Sequence, residues 1–319
     1  MALAFSLALT LASGCSEGFA DKPADYRQQM RDFVCVISAA AKSVDPDFVV
    51  IPQNGEALLT PTGDPNGPVA QEYLEAIDGI GREELFYGYA ANDKPTPKAE
   101  QALMLSFLDL AEADGIEVLV TDYCWSRRYV DASLAGSAER GYVAFAADHR
   151  ELDSIPEYPA RLYNENDLDV LSLSDVKNFL YLINPCVFPG RSSFLAAIAE
   201  TNYDLLIIDA FFEEEALAPT EIALLKTKAN GGARLVVAYL SIGEAEEYRY
   251  YWQPEWSQNP PAWLLEENPD WPGNYKVRYW DPEWQAIIYG NCGSYLAKIL
   301  AAGFDGVYLD LIDAFETFE

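Results

Sequence analysis

GFDGVYLDLIDAFE (303–316) contains a short apolar run, GVYLD (306–310), that starts just after a glycine and closes on an aspartate. The helical pattern SYLAKILAAG (294–303) leads into it and stops at Gly303, so the local order is helix, turn, buried strand, acid. Working outward, runs of the same kind occur at FVVI (48–51), AIDGI (76–80), EVLVTD (117–122), YVAFA (142–146), NFLYLIN (178–184), DLLIID (204–209) and RLVVAYL (234–240), which with GVYLD makes eight. Near-continuous apolar strands alternating with helices indicate a parallel sheet covered on its outer face. Helical spacing is visible in ADYRQQMRDFVCVISAAAKS (24–43), in TPKAEQALMLSFLDLAEADG (96–115) closed by Gly115, and in APTEIALLKTKANG (218–231) closed by Gly231. Eight strand–helix units in 319 residues fit an α/β fold of the (β/α)8 TIM-barrel type better than an open doubly wound sheet. No GxGxxG or GxxxxGK[ST] follows any strand, which removes the usual nucleotide-binding alternatives.

The balance of 21 Lys+Arg against 51 Asp+Glu gives a formal charge of −30. Such a surface repels phosphate backbones and anionic membranes, so nucleic acid is not an expected partner. It would draw in a cationic substrate such as a polysaccharide with free amino groups, although an acidic surface also serves solubility alone. His149 is the one histidine, so carboxylates must carry any acid–base work, and neither a multi-histidine metal site nor any other cofactor is expected. Cys15, Cys35, Cys124, Cys186 and Cys292 are far apart and form no CxxC, which argues against a zinc ribbon or a disulfide framework.

MALAFSLALTLASGCSEG (1–18) is an apolar run followed by small residues and Cys15. It looks like a bacterial lipoprotein signal, with residues 1–16 as the signal-like segment and a secreted or outer-surface location expected, any membrane association resting on a lipid anchor at Cys15. Residues 17–319 read as one barrel. The stretch from Arg150 to Asp175, rich in Pro, Asn and Asp, interrupts the rhythm, and 156–174 reads as a linker. A second irregular stretch (250–284) holds six of the seven tryptophans, either as a sugar-stacking platform, since a pyranose offers a C–H face to an indole, or as a packed lid over the barrel mouth.

Working side chains in a TIM barrel sit at the C-terminal ends of strands, which directs attention to the acids there: Asp209, Glu244, Asp310, Asp313, Glu56, Glu83, Glu84 and Asp122. Glycoside hydrolysis needs one protonated carboxyl to donate to the leaving oxygen and one ionised carboxyl as nucleophile or base. A ring of strands supplies such pairs. A single acid at a strand end is weak evidence, because it can equally cap the following helix.

YDLLIIDAFF, VVAYLSIGEAEEYRYYW, ENPDWPGNYKVRYWDPEWQAII and GFDGVYLDLIDAFE, with FVVIPQNGEALL, YLEAIDGIGREELFYGY and VLVTDY, resemble the bacterial and archaeal TIM-barrel relatives of endo-α-1,4-polygalactosaminidase, glycoside hydrolase family 114. The resemblance covers roughly residues 20–155 and 172–319. Some relatives carry a cysteinyl-tRNA synthetase label, but neither HIGH nor KMSKS is present here. The order differs from the family's: 17–155 resembles its C-terminal half and 175–319 its N-terminal half, as expected of a circular permutation or of a fragment cut across a tandem or misassembled gene. A barrel has no edge, so permutation keeps every strand neighbour provided GVYLD pairs with FVVI.

The resemblance implies Asp310 as nucleophile and Glu83, with Glu84 second, as acid/base. Asp209, Glu244, Asp122, Tyr239, Gln53, Asn54, Tyr123, Asp313, Glu84 and Trp280 are the expected substrate-binding residues, most of them acids and polar neighbours at strand ends. The expected activity is cleavage of an α-linked, galactosamine-containing polysaccharide. The competing expectation is a non-catalytic carbohydrate-binding barrel lipoprotein, which would keep the aromatic loop and bind glycan without turnover.

Overall fold

The computed structural model describes residues 25–319, so the signal-like segment and Cys15 lie outside the described residues. All eight apolar runs form strands, numbered here β1 (Val49–Pro52), β2 (Gly79–Glu83), β3 (Glu117–Tyr123), β4 (Val143–Ala147), β5 (Phe179–Leu182), β6 (Leu205–Asp209), β7 (Leu235–Ser241) and β8 (Gly306–Asp310). They make two parallel runs, β1-β8-β7-β6-β5 and β2-β3-β4. Residues far apart in sequence are register partners: Val49 lies opposite Gly306, and Tyr308 opposite Tyr239. The two runs touch at one side through a parallel bridge between Gln53 and Gly81, with the Asp78 amide donating to the Val50 carbonyl at 2.9 Å. On the other side the rings of Phe145 (β4) and Phe179 (β5) stand 5.6 Å apart. This mixed α/β architecture around parallel strands is compatible with a TIM-like fold.

The strands form because their residues are buried on both faces; β6 and β7 are buried throughout. Outside them lie helices with one apolar stripe each. The helix Tyr26–Lys42 starts where the Asp25 carboxylate accepts the Gln28 amide at 2.9 Å, and buries Met30, Phe33, Val34, Ile37 and Ala41. The helix Tyr295–Ala302 stops at Gly303, whose φ of 83° is left-handed backbone that a Cβ would strain, and so delivers the chain into β8.

Three boundaries differ from the sequence reading. The second strand begins at Gly79 rather than Ala76, because Asp78 is fixed before it, accepting the Val50 amide at 2.8 Å; Arg82 and Glu83 therefore belong to the strand. The helix expected to close at Gly231 ends at Leu225, since Thr227 bridges to Ala233 and the Arg234 amide donates to the Lys226 carbonyl. The segment 150–175 is packed: Leu152, Val170 and Leu173 are buried, and Val170 donates its amide to Ala233.

The N-terminal ends of the strands share one device. Asp78, Asp204 and Asp305 each stand one residue before a strand, accept a backbone amide (of Val50, Lys177 and Val236) and bond a lysine, Lys42, Lys228 and Lys226 respectively. Each aspartate thus satisfies a strand-end donor while its charge is balanced.

Candidate active site

At the opposite, C-terminal ends of the strands lies a cleft of about 400 Å³. β8 ends in Asp310, β1 is followed by Gln53 and Asn54, and β2 ends in Glu83, so two carboxylates two strands apart flank a pair of amides. Gln53 Nε2 donates to Asp310 Oδ1 at 3.1 Å, while Asn54 Nδ2 donates to Glu83 Oε2 at 3.0 Å. Consecutive residues of one strand end therefore hold one carboxylate each. Gln53 is itself fixed by the Tyr181 hydroxyl, which donates to its Oε1 at 2.8 Å.

Asp310 also accepts the Tyr239 hydroxyl at 2.6 Å and its neighbour's amide, Leu311 N, at 2.8 Å. Glu83 accepts the Tyr123 hydroxyl, and its amide donates to Asn54 Oδ1 at 3.1 Å. Burial, followed by the negative charge of Glu83, pushes the Asp310 carboxyl up to about 7. Asp313, in the turn beyond, rises to about 6 through burial and the charges of Glu316 and Glu83. Carboxyls that repel one another across a small cleft ionise only as the pH nears neutrality, so the Asp310 carboxylate becomes available near pH 7.

The floor beside this pair is a buried ionic triad. Arg249 donates from Nη1 to Asp209 Oδ2 at 2.6 Å and from Nε to Glu246 Oε2 at 2.5 Å, and Tyr248 donates to Glu246 Oε1 at 2.7 Å. Residues 244–277, which supply Glu246, Tyr248 and Arg249 and run into the irregular stretch, form in part an antiparallel sheet of Glu244–Glu246, Asn274–Val277 and Leu264–Glu267. Glu244 lines the cleft from its first strand, with Oε1 accepting Asn268 Nδ2 at 2.8 Å.

Of the residues singled out in the sequence, Asp310, Glu83, Asp209, Glu244, Tyr239, Gln53, Asn54, Tyr123 and Asp313 line this cleft together. Three do not. Asp122 precedes Tyr123 on β3 and, by strand alternation, faces the other way; it is buried and accepts the amides of Phe86 (2.9 Å) and Tyr87 (3.1 Å) and the Ser133 hydroxyl (2.7 Å), which makes it a loop anchor. Glu84, with φ 61°, turns away from Glu83 and bonds Arg150 at 2.5 Å. Trp280 packs among Tyr26, Tyr279 and Phe318, outside the cleft. Glu56 is paired with Arg82 at 2.9 Å, and His149 sits on an exposed loop beside Ser154.

The tryptophans divide between the two expected uses. Trp252, Trp256, Trp263 and Trp284 pack on one another under the hairpin sheet, whereas Trp271 is half exposed and lines the cleft. Sequence reasoning also missed Arg249, Tyr248 and Arg150. The first had a signal, because a buried Asp209 at a strand end needs a cation. Arg150 lies over the Tyr123 ring at 4.1 Å and so braces the hydroxyl that holds Glu83.

Residues 193–319 match the family model of glycoside-hydrolase family GH114. That span contains Asp310, Asp209 and Glu244 but not Glu83. An uncharacterised protein of Deinococcus radiodurans is 47% identical over 122 residues, covering 38% of this chain and 37% of that protein. Uncharacterised proteins of Methanocaldococcus jannaschii and Thermotoga maritima are 48% and 42% identical over 122 residues, 37% of this chain in each case, and 33% and 35% of those proteins. The chain therefore spans about a third of the length of these curated relatives.

Proposed function

We propose that this chain, GH114-like over residues 193–319, is a glycoside hydrolase that cleaves an α-linked, galactosamine-containing polysaccharide. The observation that carries the reading is the paired carboxylates, Asp310 and Glu83, each gripped by one of two consecutive amides in a single cleft. Asp310 is the nucleophile. Its three donors, Gln53, Tyr239 and the Leu311 amide, favour the ionised form and fix its direction. It attacks the anomeric carbon and forms a glycosyl ester, while Glu83 transfers its proton to the departing glycosidic oxygen. Glu83, now a carboxylate, removes a proton from water, which attacks the anomeric carbon and releases Asp310 as a carboxylate.

The same reading places the two parallel strand runs as parts of one barrel, closed where β1 meets β2 and where β4 meets β5, with the family's halves exchanged in order. The pairing of β8 with β1 supports it, since this is the contact that a permuted chain must make without a direct connection.

Azide separates the two roles. With an activated aryl glycoside of a galactosamine oligomer, Asp310→Ala is expected to give the glycosyl azide of inverted configuration, because azide replaces the missing nucleophile. Glu83→Ala should give the retained azide from a covalent intermediate that still forms. The opposite pairing of products would exchange the roles, and no azide product from either variant would remove both residues from the chemistry.

A further inference from the structure

The strand ladder fixes where the chain reaches the carboxylate pair, but not the direction of the side chains that hold it. The Gln53 amide donates to the Leu309 carbonyl and the Asn54 amide to the Gly81 carbonyl, both at 2.8 Å. Beyond them Asn54 and Gly55 turn left-handed, with φ of 58° and 60°. On β8 the same happens one residue after the nucleophile, where Leu311 has φ 59°. Left-handed backbone is costly for a leucine and persists only where the surroundings enforce it.

Two glycines receive this turn. A Cβ at Gly243 would lie 2.2 Å from the Leu311 carbonyl oxygen, and one at Gly55 would lie 2.8 Å from Ile312 Cγ2 and 3.2 Å from Ile312 Cβ. The segment after Asp310 is thus seated between two chain segments that approach it without a side chain in the way. Behind it, the short helix Ile312–Thr317 is backed by the helix Tyr26–Lys42, whose Arg27 guanidinium lies 4.6 Å from the centre of the Phe315 ring and donates to Glu319 at 2.7 Å. Ile312 and Phe315 are fully buried, so the turn has no space into which to retreat.

We propose that Ile312 is a positioning residue for the carboxylate pair: its Cγ2 methyl, seated on Gly55, holds Asn54 in the left-handed turn from which its side chain grips Glu83. The same segment gives Asp310 the Leu311 amide at 2.8 Å. Residues 310–312 therefore place one carboxylate directly and the other through Gly55 and Asn54, across β1. The proposal rests on the hydrolase reading above and adds a residue that touches neither carboxylate. Its consequence is geometric, because two carboxyls flanking a glycosidic bond work only at a set separation, and a misplacement of about 1 Å can cost about 10²-fold in rate.

The test separates this contact from core packing in general. Ile312→Leu keeps the side-chain volume and removes the methyl on Cβ, whereas Ile312→Val keeps that methyl and removes the outer one. Both disturb the core by similar, small amounts. With the full chain and an activated aryl glycoside of a galactosamine oligomer, Ile312→Leu is expected to lower kcat about tenfold or more with KM within about twofold of wild type. Ile312→Val should keep the greater part of kcat. Gly55→Ala crowds the same contact from the other side and should also lower kcat, and its effect should not add to that of Ile312→Leu.

Crystal structures of the same proteins read the placement without turnover. In Ile312→Leu the 3.0 Å bond from Asn54 Nδ2 to Glu83 should be lost, and in Ile312→Val it should remain. Equal losses of kcat in the two variants, or an intact Asn54–Glu83 bond in Ile312→Leu, overturns the positioning role. A displaced Asn54 in Ile312→Leu with no hydrolysis by the wild type refutes the hydrolase reading and leaves the strut standing.

Discussion

Asp204 and Asp310 lie at opposite ends of the parallel strands, and their surroundings differ in kind. Asp204 is fully buried before β6, where Lys228 Nζ reaches Oδ1 at 2.9 Å and the Lys177 amide and Asn166 Nδ2 reach Oδ2 at 2.9 and 3.0 Å. Lys228 is also buried, and its remaining protons go to the Leu168 and Asn166 oxygens. Asp310 closes β8 with three neutral donors, and the charge that acts on it most is another carboxylate, Glu83. One residue type thus serves two purposes, and the neighbouring charge decides which. A buried acid matched by a cation holds the strand ends in place. One set against another acid, with no cation to hold it, ionises only near neutrality and stays free to react.

The sharpest way to damage the matched end is to remove its cation. Lys228→Met leaves Asp204 charged and buried, and chemical denaturation should show a loss of about 3–5 kcal/mol. A loss under about 1 kcal/mol would mean that the pair contributes no more than an exposed one.

At the other end the sign reverses. The Asp310 carboxyl rises from an ordinary value near 4 to about 7, so between those values the folded protein holds a proton that the unfolded chain has released. Its contribution to stability is complete below about pH 4 and is lost as the pH rises through 7. Asp310→Asn removes that dependence and should be more stable than wild type at pH 8 by about 4 kcal/mol, with the gap closing on acidification. Melting curves at pH 5 and 8 would show it; a variant equally destabilised at both would place Asp310 with the structural acids.

The same ionisation should appear in turnover, since a nucleophile must be charged: kcat/KM is expected to fall about tenfold per pH unit below about 7. A profile flat from pH 5 to 7 would remove Asp310 from that role. The smallest effect belongs to the cleft rim, where Trp271→Ala should weaken oligosaccharide binding about fivefold while leaving stability almost unchanged. Equal loss of binding in Trp280→Ala would contradict the division of the tryptophans.

Strands were legible because each is a compact apolar run, and the acid at each strand end was legible with it. Glu83 and Asp310 follow from that rule, as do Gln53, Asn54, Tyr123 and Tyr239. Asp122 shows its limit. In VTDY the alternation of strand side chains gives the cleft to Tyr123 and the helix side to Asp122, a register that composition does not reveal. Glu84 was lost to a left-handed turn, which no local pattern announced. Arg249, Tyr248 and Trp271 depend on how the 244–277 hairpin sheet pairs, and its strands are too short and too aromatic to be separated from loop by periodicity. The lysines that neutralise Asp78, Asp204 and Asp305 are all distant in sequence from the acids they serve, with Lys226 and Asp305 79 positions apart.

Release of reducing ends from an α-1,4-galactosamine polymer, followed for wild type and Asp310→Asn beside calorimetric binding of the same polymer, puts the unmatched pair to its trial. The wild type should hydrolyse, and the variant should lose about 10³-fold or more in rate while still binding. Equal rates in the two proteins, or binding by both with hydrolysis by neither, would contradict the assignment of Asp310 and Glu83 to glycoside cleavage.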